Sequence, residues 1–95
     1  MPEMRFRIRW PDDTTETCYS PSVVIKDYFA VGADYPLTDF LARSRTALNI
    51  ASERVRAKYG VPCSRALAQL ARIEAAAAAF TGVSGARVAV DGFEE

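Results

Sequence analysis

Residues Met4 to Trp10, reading MRFRIRW, alternate without interruption between apolar side chains and arginines. Successive side chains of a strand point to opposite faces. As a strand, the segment therefore has one face of Met4, Phe6, Ile8 and Trp10 and another of Arg5, Arg7 and Arg9. The first face needs a core. The second sets three guanidinium groups about 7 Å apart and poses the functional question.

Pro11-Asp12-Asp13-Thr14 is a run of turn formers, and Thr15 to Ser20 alternates again with β-branched and aromatic residues, which is a hairpin signal. A two-residue Asp12-Asp13 loop sets Trp10 opposite Thr15, Arg9 opposite Glu16, Ile8 opposite Thr17, Arg7 opposite Cys18 and Phe6 opposite Tyr19. In that register Glu16 answers Arg9 across the ladder.

Ser20-Pro21-Ser22 ends the second strand and opens a short helix over residues 22–29, with Ser20 or Ser22 as its cap. The many β-branched residues there also allow an extended arm. The longest element enters through Tyr35 to Phe40 and runs to Lys58 or Tyr59, where Gly60 and then Pro62 stop it. Its buried stripe is predicted to hold Leu37, Leu41, Ser44, Leu48, Ala51, Val55 and Lys58 or Tyr59. A third helix is predicted from Ser64 to about Phe80, burying Leu67, Leu70, Ile73, Ala77 and Phe80. Residues 86–91 alternate once more, with Val88 and Val90 inward and Arg87 and Asp91 outward.

These elements add up to a single α+β domain over residues 1–95. It comprises a three-stranded antiparallel or mixed sheet, formed by the hairpin and the C-terminal strand, with two long helices and one short helix on one face. The first strand belongs in the middle, because it carries the largest apolar load. Arg5, Arg7, Arg9, Glu16 and Arg87, with Cys18, Ser20 and Asp91 among them, are then expected on the open face. Of these, Arg5, Arg7, Arg9, Glu16 and Arg87 form the candidate interface.

Twelve basic residues balance twelve acidic ones, so there is no overall field to draw the chain onto nucleic acid or an anionic membrane. Binding of nucleic acid is disfavoured accordingly, and would have to use Arg5, Arg7 and Arg9. No apolar run is long enough for a membrane span, and the N-terminal residues lack the apolar segment of a signal peptide, so a cytoplasmic protein without membrane association is expected. Cys18 and Cys63 are isolated and there is no histidine. This disfavours a zinc site and a Cys/His nucleophile, and free thiols are expected. No paired carboxylates suggest acid–base chemistry, and no loop of the right kind cradles phosphate. No catalytic residue, metal or cofactor is assigned.

Arg43, Arg45, Arg54, Arg56 and Lys58 make a second cationic group, read as a solvated helix face with Asp39 and Glu53 as ion-pair partners. An alternative reading is a small enzyme or ligand-binding domain with its pocket between sheet and long helix, lined by Trp10, Tyr28, Tyr35 and neighbouring apolar residues. A homodimer through the open face or through a strand edge is expected from the unpaired edges of a small sheet.

MPEMRFRIRWPDDTTETCYSPS, PLTDFLARSRTALNIASERVRAKYG and CSRALAQLARIEAAAAAF together resemble, over nearly the whole chain, a family of small bacterial nitrogen starvation response proteins. Genes of that family cluster with a nitrilase and other biosynthetic enzymes. The resemblance implies a link to such a cluster but no activity, and the expectation is a non-enzymatic accessory protein with a protein partner from a nitrilase-type cluster. It carries no catalytic or ligand-binding residue onto this sequence.

Overall fold

The computed structural model describes residues 3–95. Strands β1 (Met4–Arg9) and β2 (Thr15–Ser20) form the expected hairpin. A short helix α1 (Ile25–Tyr28), a strand β3 (Asp34–Pro36), helices α2 (Leu37–Tyr59) and α3 (Ser64–Ala77), a 3-10 turn (Ala78–Phe80) and strand β4 (Arg87–Glu94) follow. Among the described residues the sheet has four strands, in the order β2-β1-β4-β3, and every neighbouring pair is antiparallel. β1 is interior as its apolar load requires. Phe6 and Ile8 have no exposed surface, and burial of each side chain contributes about 1.5–3 kcal/mol.

The hairpin register differs by one residue from the expected one. Phe6 faces Cys18, Arg7 faces Thr17, Ile8 faces Glu16 and Arg9 faces Thr15. The cause is the loop. Asp13 N donates to Trp10 O at 2.9 Å, Trp10 N donates to Thr14 O at 2.8 Å, and Asp13 is left-handed with φ 69°. The loop is thus Pro11-Asp12-Asp13, a turn closed by a residue in the left-handed region, which an aspartate tolerates better than most residues. Asp12 secures it by accepting from Thr14 N at 3.1 Å and Thr14 Oγ at 2.6 Å. A slip of one residue moves every side chain of a strand to the other face. Cys18 and Ser20 accordingly lie in the core instead of beside the arginines.

The fourth strand was hidden in what reads as the entry to α2. Asp34, Tyr35 and Pro36 pair with Ala89, Val88 and Arg87. β4 also runs further than expected, because a bulge between its Arg7 and Ile8 partners leaves Asp91 as the extra residue. The bulge resolves a conflict in the sequence. Val88 and Val90 demand the core face, Phe93 falls on the wrong parity, and one inserted residue lets all three pack inward.

All three helices cover the face of Phe6, Ile8 and Trp10. α1 is only one turn, preceded by a serine turn in which Ser22 Oγ accepts from Val24 N at 3.2 Å. In α2 Phe40, Ala47 and Ser52 join Leu37, Ser44, Leu48 and Ala51 in burial, while Leu41 and Val55 are half-buried and Lys58 and Tyr59 are exposed. The helix ends as expected at Gly60, left-handed with φ 87°, whose N–H reaches Arg56 O at 2.8 Å. α3 begins after Cys63, whose side chain makes no capping bond, buries Ala66 where Leu67 was expected, and leaves Leu67 exposed. Phe29, Phe40, Phe80 and Trp10 form an aromatic seam between sheet and helices, with neighbouring ring centroids 5.3–5.8 Å apart.

Candidate functional site

The sheet face turned away from the helices is open. β1 supplies Arg5, Arg7 and Arg9, all exposed. β2 sets Tyr19, Thr17 and Thr15 beside them, and β4 sets Glu94, Gly92 and Ala89. Arg87 lies two residues from Ala89 on the same face and opposite Pro36. Four of the five candidate interface residues, Arg5, Arg7, Arg9 and Arg87, are therefore gathered on one surface.

Glu16 is not among them. The register turns it toward the helix side, where Oε1 accepts from Trp10 Nε1 at 3.2 Å and Oε2 accepts from Arg72 Nε at 3.1 Å. It serves as a hydrogen-bond acceptor for a buried indole and ties β2 to α3. The expected pairing of Glu16 with Arg9 is replaced by one across the bulge, where Arg9 Nη2 donates to Asp91 Oδ1 at 2.9 Å. Arg87 pairs with Asp34, and Arg7 comes within 3.9 Å of Glu94. The face thus holds four cations and three anions, with Arg7, Arg9 and Arg87 each beside a carboxylate. Gly92 leaves room for this, since a Cβ there would stand 3.1 Å from Arg7 Nη2.

The second cationic group is only partly a solvated face. Arg43 lies 4.7 Å from the centre of the Tyr35 ring while donating to Asp39 at 3.0 Å and to Tyr28 O at 2.8 Å. Arg54 donates to Ser22 Oγ at 3.0 Å, and Arg45 reaches Glu74 on α3 at 3.3 Å. These arginines hold α2 to its neighbours. Arg56 pairs with Glu53 on the surface, as the spacing suggests.

Between the sheet and α2, packed side chains fill the space that the alternative reading gives to a ligand. Trp10, 4% exposed, lies edge-on to Phe40, and Phe29 lies edge-on to Tyr35. Tyr35 Oη accepts from Ala30 N at 2.9 Å. Concave surface lies elsewhere. One depression of about 450 Å3 is bordered by Arg9, Asp34, Val83 and Arg87 at an end of the sheet. Another, of about 550 Å3, runs between β2 and α3, where Glu16, Thr17 and Tyr19 face Arg65, Ala68, Gln69 and Arg72. The spacing of Arg65, Gln69 and Arg72 at four and three residues puts them on one helix face, a signal that the sequence contains.

Burial pushes the Cys18 thiol up to about 12, with Glu16 adding to the shift and Arg72 opposing it. The thiol therefore stays protonated, and it is a poor nucleophile at neutral pH. Among the described residues no group of three or more cysteines and carboxylates is placed to hold a metal. No helix among them is long and apolar enough to cross a membrane.

The family model for nitrogen starvation-induced protein NitG matches residues 5–93 of the chain. No curated protein and no solved structure matches it significantly.

Proposed function

Because the chain belongs to the nitrogen starvation-induced protein NitG family, we propose that it is a non-enzymatic accessory protein of the cytoplasm. Its partners in this reading are a nitrilase-type enzyme, or another product of the cluster that the sequence resemblance implies, and a second copy of itself. The open sheet face is the contact surface.

The observation that supports this reading is the charge arrangement of that face. Arg7, Arg9 and Arg87 each stand beside a carboxylate, Glu94, Asp91 and Asp34 respectively. A phosphate backbone is bound through cations free to displace counterions. Cations already answered by carboxylates suit a partner surface that itself carries both signs. Three antiparallel strand pairings hold the array, so its groups are set in fixed rows.

Light scattering on the wild type and on Arg7→Glu tests the self-association. A dimer that becomes a monomer in the variant is the expected result, and an unchanged mass excludes the sheet-face dimer. Co-purification with the nitrilase of the cluster as bait tests the accessory role. Association with neither the nitrilase nor another cluster product would remove it.

A further inference from the structure

We propose that the outer edge of β2, together with the flank of α3, is a docking site for an extended acidic segment of a partner protein, which adds to the sheet as a fifth strand. This site borders the open face and differs from it in using the main-chain edge of β2 and the flank of α3.

The two edges of the sheet are unequal. β3 is three residues long and ends in Pro36, the kind of short, proline-bearing edge that resists pairing. β2 has six residues and no proline. Its even-numbered residues face β1 in the ladder, as the bond from Trp10 N to Thr14 O at the loop shows. Alternation then turns the N–H and C=O groups of Thr15, Thr17 and Tyr19 outward. Tyr19 bears this out, since its N–H donates to Gln69 Oε1 on α3 at 2.9 Å. The Gln69 oxygen stands where the carbonyl of an added strand would stand, and it closes that end of the edge. Among the described residues no protein group accepts from Thr15 N or Thr17 N.

The groove beside this edge is lined by Arg65, Ala68 and Arg72 of α3 and by Glu16 of β2, and Arg65 comes within 3.8 Å of Glu3. Arg65 rests on the Tyr19 ring, 3.9 Å from its centre. Arg72 engages Glu16 through Nε alone, and its side chain is 69% exposed. Its two terminal nitrogens are free to form the two-pronged contact that guanidinium makes with carboxylate. Both oxygens of Glu16 are already used. A strand at Thr15 and Thr17 would exchange main-chain hydrogen bonds there and carry a carboxylate toward Arg72, which is recognition by strand addition. A second copy of β2 is a poorer occupant. Its carboxylate, Glu16, is already engaged by Trp10 and Arg72, and a two-fold axis would bring Arg65 and Arg72 of both copies together.

The test is fluorescence anisotropy with a labelled short peptide of alternating valine and glutamate, compared with its valine–lysine counterpart. Saturable binding of the glutamate peptide, at least tenfold weaker for the lysine peptide and for Arg72→Ala, is expected. Thr17→Pro should abolish binding, because it removes the outward N–H that an added strand would use, while the fold tolerates it, because proline is accepted on an edge strand whose N–H faces solvent. Should that variant fail to fold, amide NMR shifts on titrating the wild type take its place, and they should concentrate at Thr15 and Thr17. No saturable binding at millimolar peptide, equal binding of both peptides, or shifts centred on Arg7 would each overturn the proposal. So would a wild-type dimer that Thr17→Pro makes monomeric, since the edge would then belong to a second copy. Arg7→Ala should weaken peptide binding much less than Arg72→Ala does, which distinguishes the β2 edge from the open face.

Discussion

Arg9 donates to Asp91 across the bulge between β1 and β4 at 2.9 Å, while Glu16, the expected partner of Arg9, accepts instead from the indole of Trp10 on the other side of the sheet. The two carboxylates should therefore differ in their contribution to stability. The Arg9 side chain is 47% exposed, so Asp91→Ala should cost no more than about 1 kcal/mol. Glu16→Ala leaves a buried indole N–H without its acceptor and should cost about 1–3 kcal/mol. Urea denaturation of both variants measures the difference, and equal small losses would contradict the register.

Ser44 lies wholly inside α2's packed face, and its hydroxyl has no hydrogen-bond partner. Ser44→Ala removes an unsatisfied polar group and improves helix propensity, so it should stabilise the protein by about 1 kcal/mol. A lower melting temperature in calorimetry would mean that the hydroxyl has a partner in solution.

The two cysteines should react differently. Cys18 is buried and protonated, whereas Cys63 is half-buried where α3 begins. Titration with a chromogenic disulfide reagent should find one reactive thiol in the native protein and two in denaturant. Because the folded-state value of Cys18 is raised to about 12 from 9.0, the stabilisation of its neutral form is complete below pH 9 and is lost as pH rises toward 12. Cys18→Ala should lack this alkaline loss, which thermal melts across that range would reveal.

Asp12 has the opposite sign. Hydrogen bonds from the Thr14 side chain and backbone hold its carboxyl below the ordinary value of 3.8. Its contribution is present above pH 3.8 and is lost as pH falls through the lowered value. The stability difference between wild type and Asp12→Asn should shrink on acidification through that range. A difference independent of pH would show that the carboxylate charge plays no part in holding the loop.

Alternation in residues 4–10, the turn formers after Trp10, the three- and four-residue spacing of α2 and α3, and Gly60 were sufficient to read most of the elements and the open arginine face. Each is a local property, set by the strand or helix period or by one residue's backbone freedom. Family membership, too, was legible in the chain itself, and the match over residues 5–93 agrees with it.

Pairing was decided by the tertiary structure. Asp-Asp is compatible with loops of two or three residues, and only the left-handed Asp13 selects the longer one, which sends Glu16 to Trp10 and Cys18 to the core. Asp34–Pro36 is too short to show a period and becomes a strand only because β4 offers it an edge. The bulge at Asp91 exists because Val88, Val90 and Phe93 compete for one face. The sequence by itself determined which side chains each element offers. Long-range packing against β4, α2 and α3 decided which of them meet, because register and strand order depend on contacts between residues far apart in the chain.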